Sequence, residues 1–254
     1  VIELGRVHLG DCLERLHEVD DGSVDMVFAD LPYGVTANAW DKPLDMERLW
    51  PALWRVCARD AAMIFTAVQP FASDLIVSNR KQFRYEMIWK KNMATGFLNA
   101  AKRPLRIHEN VLLFWRETPP YYPQKTQGHD RVRVTPSKLA ERPGSSTYGA
   151  VIKTEIYDST ERHPTTVLEM DMVELHDVGR RHATQKPEQL IEWFIRSFTD
   201  PGALVLDPTA GSGSTLCAAK SCGRRCVGFD LDPKSVEVAN DALMTRFDFA
   251  SGTP

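Results

Sequence analysis

Three short apolar runs in this chain each end in an aspartate, and that repeated pattern narrows the fold more than any other feature. They are Val24-Asp25-Met26-Val27-Phe28-Ala29-Asp30, Ala203-Leu204-Val205-Leu206-Asp207 and Arg225-Cys226-Val227-Gly228-Phe229-Asp230. Short β-rich runs bounded by turn residues read as buried strands. Residues 61–66, 85–89 and 111–115 read the same way. Helical patterns lie between them. Trp50, Leu53, Trp54 and Cys57 share one face of a segment that starts near Asp45. Leu190, Trp193, Phe194 and Ile195 do so after Lys186-Pro187, and residues 215–221 and 233–246 form two more segments, the last capped by Asp232. Strands alternating with helices predict an α/β fold with a mostly parallel sheet covered on both faces. Ligands of such sheets bind beyond the carboxyl ends of the strands, where the three aspartates would gather.

Composition excludes several classes. With 43% hydrophobic and 26% charged residues over 254 positions, the chain is neither a disordered tail nor a coiled coil. No apolar run approaches the roughly 18 residues of a membrane span. The first residues lack the basic start and apolar core of a signal peptide. The five cysteines, Cys12, Cys57, Cys217, Cys222 and Cys226, form no CxxC pair, so free thiols in a reducing cytosol and no metal site are expected. The net charge of -3 hides an asymmetry, because residues 80–153 carry 15 Lys and Arg against 5 Asp and Glu. A solvated charged face and a polyanion partner both account for that.

Two turns stand out. Asp207-Pro208-Thr209-Ala210-Gly211-Ser212-Gly213-Ser214-Thr215 joins a strand to a helix. Its glycines permit left-handed φ and close backbone approach, and helix amides follow. It lacks the Lys of a P-loop and the third Gly of a dinucleotide loop, so it suits a cofactor without polyphosphate. Asp230, ending the next strand, is placed to accept both ribose hydroxyls of an adenosine-type cofactor. A plain strand–turn–helix corner is the alternative. The other turn, Asp30-Leu31-Pro32-Tyr33-Gly34, sets a carboxylate, a restrained carbonyl and an aromatic ring together. Taken alone, it reads more readily as a surface turn with a capping Asp.

Together these turns resemble a known family. Asp30-Leu31-Pro32-Tyr33 resembles the (D/N/S)PP(Y/F) motif of amino-methyltransferases that act on DNA, and residues 207–215 resemble their S-adenosylmethionine loop. The order, catalytic motif first and cofactor loop last, is that of the β group. His182-Ala183-Thr184-Gln185-Lys186-Pro187 resembles that group's HPTQKP-like element, and Gly10-Asp11-Cys12 its GD(A/C) element. Two positions depart from the pattern: Leu31 replaces the usual first Pro, and Ala183 the Pro after His182.

The resemblance implies a Rossmann-like class I methyltransferase fold with a seven-stranded sheet and circularly permuted motif order. Residues 1–116 would form the catalytic half, 117–179 an inserted target-recognition region, and 180–254 the cofactor half. It implies transfer of a methyl group from S-adenosylmethionine, leaving S-adenosylhomocysteine, to the exocyclic N6 of adenine in double-stranded DNA. The base must be flipped out for this. Asp30 with the Leu31 or Pro32 carbonyl would hold the amine, and Tyr33 would stack on the base. Asp11, Cys12, Asp30, His182, Thr184, Gln185, Lys186, Asp207, Thr209, Gly211, Gly213, Ser214, Thr215 and Asp230 would surround the cofactor. Asn38 and Trp40 would line the base pocket or fill the duplex gap.

The basic middle then acquires a use. Lys90, Lys91, Lys102, Arg103 and Arg106 are expected to hold phosphates, and Arg131, Arg133, Lys138, Arg142 and Tyr148 to reach base edges. The resemblance further implies a homodimer on the bacterial nucleoid in the cytoplasm, with no obligatory protein partner and no membrane. The rivals are a cytosine-N4 enzyme, a non-catalytic DNA- and cofactor-binding regulator, a dinucleotide enzyme, and a methyltransferase with an RNA or protein substrate. Neither the recognition sequence nor a restriction-linked or orphan role is legible.

Overall fold

The structure, a computed structural model, describes residues 2–34, 43–134, 157–172 and 185–247. It divides into two compact units, one built from the chain up to Tyr122 and from Thr166 onward, the other from Pro123–Thr165.

The larger unit is an eight-stranded sheet. In chain order the strands are β1 (Val7–Leu9), β2 (Val24–Ala29), β3 (Cys57–Ala67), β4 (Phe83–Thr95), β5 (Arg106–Phe114), β8 (Val167–Glu169), β9 (Leu204–Asp207) and β10 (Arg225–Asp230). Their spatial order is β1-β10-β9-β2-β3-β5-β4-β8. Strands β1, β10, β9, β2 and β3 pair in parallel, β5 runs antiparallel between β3 and β4, and β8 adds parallel to β4. The eighth strand is a three-residue edge strand that the apolar pattern did not predict, since only Leu168 of its residues is buried.

Alternation along the central strands explains the two layers. Val24, Val27 and Ala29 of β2 face one core, with Met63, Phe65, Leu112, Leu206 and Phe229. Met26 and Phe28 face the other, with Ile64, Leu113, Val205 and Cys226. The first core is covered by α1 (Cys12–Arg15), α2 (Met46–Val56) and α3 (Phe71–Ser78). The second is covered by α4 (Glu188–Phe198), α5 (Ser214–Ser221) and α6 (Pro233–Phe247). The predicted helix start at Asp45 is an N-cap whose carboxylate accepts the Glu47 and Arg48 amides at 3.0 and 3.3 Å. All five cysteines are buried and none forms a disulfide. No helix among the described residues is long and apolar enough to cross a membrane.

Strand β3 begins where α2 ends, four residues before the apolar run, because Cys57 pairs with Val24. Strand β4 runs on to Thr95, well past the apolar stretch, because β5 continues beside it as a hairpin arm with Thr95 opposite Arg106. Edge strand β1 is held on one side by β10 and on the other by Asn240 of α6. The Asn240 side chain accepts the Val7 amide and donates to the Val7 carbonyl, both at 2.9 Å.

The smaller unit contains β6 (Val132–Val134) paired antiparallel with β7 (Tyr157–Ser159), and a bridge between Thr126 and Arg162. Ion pairs Arg131–Asp158 at 2.7 Å and Lys125–Glu161 at 3.0 Å brace it.

Gly228 sits in β10 under α5. A Cβ there would lie 2.9 Å from Leu216 Cδ1 and 3.1 Å from the Asp207 carbonyl oxygen. Gly228→Ala should therefore cost about 1–3 kcal/mol through overpacking, read as a lower urea midpoint at unchanged slope.

Candidate active site

The sheet order brings the three strand-end aspartates to one edge. Asp230, Asp207 and Asp30 follow or end β10, β9 and β2, which are consecutive neighbours. Asp11 joins them from the turn after β1, where the Gly10 amide donates to the Asp230 carbonyl at 2.8 Å.

Each aspartate does something different. Asp207 is 4% exposed and works inside the turn. It accepts the Thr209 amide at 3.0 Å and a bond from the Thr215 hydroxyl. Burial, only partly offset by these bonds, pushes its carboxyl up to about 7. Asp230 is half-buried and accepts the Gly211 and Asp232 amides at 2.8 Å, one on each carboxylate oxygen. Each oxygen keeps a further lone pair. Asp11 caps α1 by accepting the Leu13 amide at 2.8 Å.

Within the turn, Gly211 and Gly213 adopt φ of +49° and +76°. A Cβ on Gly211 would meet nothing within 4 Å, whereas one on Gly213 would strike Ala239 of α6 at 2.8 Å. Gly211 therefore borders open space and Gly213 serves packing. Ser214 and Thr215 are buried at the start of α5, and Thr209 is half-buried. The Thr209 hydroxyl donates to the Asp30 carbonyl at 3.3 Å, which ties the glycine turn to the Asp30 turn. Cys12 is buried beneath Asp11, and burial with the Asp11 charge pushes its thiol up to about 12. It is a neutral core side chain.

Asp30 is the best-connected group. Its Oδ1 accepts the Tyr33 and Thr66 hydroxyls, and its Oδ2 accepts the Lys186 ammonium. Tyr33 is half-buried, with its ring centroid 5.1 Å from that of Phe71. Burial first, then the charges of Asp30 and Glu109, raise its phenol well above the usual range, so it is a fixed donor. Leu31 is buried in the core while Pro32 is half-buried, so the unusual Leu31 is used for packing.

Behind Asp30 lies a buried cluster. Lys186, with its side chain 11% exposed, bonds to Asp30 and lies 3.5 Å from Glu109 Oε2. Glu109 Oε1 accepts the Lys91 ammonium. Burial opposes the ionisation of Glu109, but Lys186 and Lys91 outweigh it and hold the carboxyl below its usual range. Burial likewise opposes the charge on Lys186, and Asp30 and Glu109 outweigh it.

This corrects one expectation. Lys91 is not a surface phosphate contact: it is buried, paired with Glu109 and set 4.9 Å over the Trp89 ring. It points inward because its neighbour in β5 is a buried acid, a pairing that charge counting does not reveal. Lys90, next to it, is exposed and paired with Glu169 at 2.9 Å. Lys102 and Arg103 are exposed and Arg106 is half-buried, all on the β4–β5 hairpin. Arg131 and Arg133 lie at and in β6 of the smaller unit. Gln185 is half-buried beside Lys186. Asn38, Trp40, Lys138, Arg142, Tyr148, His182 and Thr184 lie outside the described residues.

Sequence reasoning missed Thr66 and Glu109. Each left a signal: a lone hydroxyl inside the apolar run of β3, and a carboxylate heading the apolar end of β5 within a basic segment. Among the described residues, no group of three or more His, Cys, Asp or Glu is arranged to hold a metal ion.

Comparison with known proteins gives a consistent picture. A family model described as DNA methylase, covering N6 and N4 methyltransferases, matches residues 24–241. The type II methyltransferase M1.MboII of Moraxella bovis is 26% identical over 96% of this chain and 98% of its own length. The DNA adenine methyltransferase YhdJ of Escherichia coli is 25% identical over 95% of this chain and 82% of its own. The cytosine-N4-specific PvuII DNA methyltransferase superposes with a TM-score of 0.66 at 15% identity, covering 94% of this chain and 86% of that one. M1.HpyAVI in complex with SAM superposes with a TM-score of 0.60 at 18% identity, covering 93% of this chain and 98% of that one.

Two measurements probe the buried charges. Glu109→Gln leaves the buried Lys91 ammonium without its carboxylate and Lys186 with Asp30 alone, and should destabilise the fold by about 3–5 kcal/mol. Pairing it with Lys91→Met should restore a substantial part of that loss in chemical denaturation. Asp207 has the opposite pH signature to a paired carboxylate. Its folded value, about 7, exceeds the ordinary 3.8, so between those pH values the folded state holds the extra proton. Stability from this group therefore falls as pH rises from 4 to 7. Asp207→Asn should flatten that part of the stability–pH curve and raise stability at neutral pH.

Proposed function

Because the chain belongs to the N6/N4 DNA methylase family, we propose that it transfers the methyl group of S-adenosylmethionine to the exocyclic N6 of an adenine flipped out of double-stranded DNA. The observation that carries this reading is the Thr209–Asp30 contact, which couples the glycine turn to an oriented carboxylate at one sheet edge.

The donor set suits S-adenosylmethionine. The turn has no lysine for a polyphosphate, Gly211 faces open space, and Asp230 keeps acceptor capacity for two hydroxyls. Asp230 would hold the ribose, Gly211 and Thr209 would lie against the body of the molecule, and Asp11 would approach its base. When bound, it supplies a methyl group on a positively charged sulfur, already activated for displacement.

The protein's own task is to prepare the amine. The lone pair of an exocyclic amino group is delocalised into its ring, so the nitrogen is a weak nucleophile. Asp30 Oδ2 and the Leu31 or Pro32 carbonyl accept its two N–H bonds and draw the nitrogen toward tetrahedral geometry. Thr66 and Tyr33 fix Oδ1, which leaves Oδ2 as the oxygen for substrate, and Lys186 marks in the resting state where a nitrogen donor sits against it. As the N–C bond forms and the S–C bond breaks, the amine proton is released along its bond to Asp30. Preorganised acceptors of this kind require no reorganisation during reaction. Asp at the first motif position supports adenine over cytosine, by the resemblance noted above.

The test is transfer from labelled S-adenosylmethionine to unmethylated bacterial genomic DNA, with nucleosides identified by mass. N6-methyladenine from the intact protein, reduced about a hundredfold or more in Asp30→Ala, is the expected result. N4-methylcytosine alone would replace the adenine assignment with cytosine N4. A folded, cofactor-binding protein that methylates no DNA would overturn the activity.

A further inference from the structure

The β4–β5 hairpin carries surface that the proposed chemistry leaves unused. Strand β3 ends at Ala67, opposite Asn110, and Asn110 is opposite Ile88 of β4. β4 runs in the same direction as β2 and β3, so its continuation to Thr95 projects past the edge that bears Asp30. The register shifts between Lys90 and Thr95, and β5 covers the same stretch in four residues, Asn110 to Arg106, so at about 3.3 Å per residue the paired arm extends roughly 13 Å. β8 accompanies β4 only to Lys90, and the Asn92 side chain accepts the Met172 amide. Beyond that the arm is a two-stranded ribbon.

Its tip is built unlike a solvated hairpin. Gly96 turns the chain at φ +85° into a 3₁₀ turn, Phe97–Asn99. Phe97 is 74% exposed and Leu98 86%, and Met93, Leu105 and Ile107 are exposed behind them. Two adjacent large apolar side chains at the end of a projecting ribbon have no folding rationale. The surrounding charge has one sign: residues 92–108 contain Lys102, Arg103 and Arg106 and no acidic residue. None of these three makes an ion pair among the described residues. Arg103 and Arg106 line a small cleft with Thr95, Gly96 and Pro104 at the base of the tip.

We propose that Phe97 and Leu98 form an apolar wedge that enters the base stack of the duplex beside the target nucleotide, while Arg103 and Arg106 hold a backbone phosphate in the cleft behind it. The inference rests on the DNA reading above and adds to it a means of opening the duplex. Apolar side chains inserted between base steps unstack them, and flanking cations secure the distorted backbone. The ribbon is also anchored where the reaction occurs. Its root holds the Lys91–Glu109 pair, and Glu109 faces Lys186, which bonds to Asp30.

The experiment uses the full chain and a random-sequence duplex pool with 5-iododeoxyuridine in place of thymidine. After irradiation, cross-linked peptides are identified by mass. Phe97→Ala/Leu98→Ala is then compared with the parent for S-adenosylmethionine binding, methylation of genomic DNA and sedimentation. The expected results are a cross-link within residues 97–102 and unchanged cofactor binding and sedimentation. Methylation should fall about tenfold or more, as loss of stacking contacts predicts. Arg103→Ala should lower the salt slope of duplex binding by about one. A parent that methylates DNA while the double variant does so equally well, with no cross-link at the tip, overturns the wedge alone. A dimeric parent whose double variant sediments as a monomer, with cross-links elsewhere, assigns the tip to self-association and overturns the proposal. A parent that neither binds the duplex nor methylates DNA removes the wedge together with the reading beneath it.

Discussion

Four charges in a row, Lys91 and Glu109 buried and Lys186 and Asp30 partly buried, hold together parts of the chain that the sequence keeps far apart. Two cations and two anions balance, and each is paired before it is removed from water. Dehydrating them is costly, and mutual attraction offsets that cost only while every member is present. The cluster joins the hairpin arm, the turn after β2 and the segment leading into α4. The orientation of the Asp30 carboxylate is therefore a property of the whole carboxyl edge. Lys186, Thr66 and Tyr33 come from three separate segments, and each fixes one lone-pair direction.

The alternation of apolar strands and amphipathic helices was legible because it follows from periods of 2 and 3.6, which local sequence displays. The strand ends were legible for the same reason, and so was the gathering of Asp30, Asp207 and Asp230. What one sequence hides is the use of a polar side chain once it is buried. Asp207 and Asp230 look alike in the chain, yet one is buried inside its turn and the other stays half-buried at the carboxyl edge. Lys90 and Lys91 are neighbours, but strand alternation sends one to solvent and the other onto Glu109. Thr66 and Glu109 were missed because their meaning depends on partners across the sheet. β1 and β8 were missed because three residues at an edge show no periodicity.

The two turns on which the function rests are distant in the chain and adjacent in space. β2 and β9 pair directly, so the Asp30 turn and the glycine turn leave the sheet side by side. The Thr209 hydroxyl bond to the Asp30 carbonyl completes that adjacency with a polar contact. A parallel sheet gives such a site its geometry without strain, because every strand delivers its carboxyl end to the same edge.

The strand order also has a consequence for how the chain is made. β2 lies between β3 and β9, and β1 pairs with β10, so both early strands complete their pairing with segments synthesised much later. While the ribosome is still translating the middle of the chain, β2 and β3 can pair but present an open apolar edge. The Asn240 clasp on β1 does not exist until α6 has emerged. The decisive step in folding the larger unit therefore waits on these later segments, and until then the open strand edges are sites that chaperones would shield.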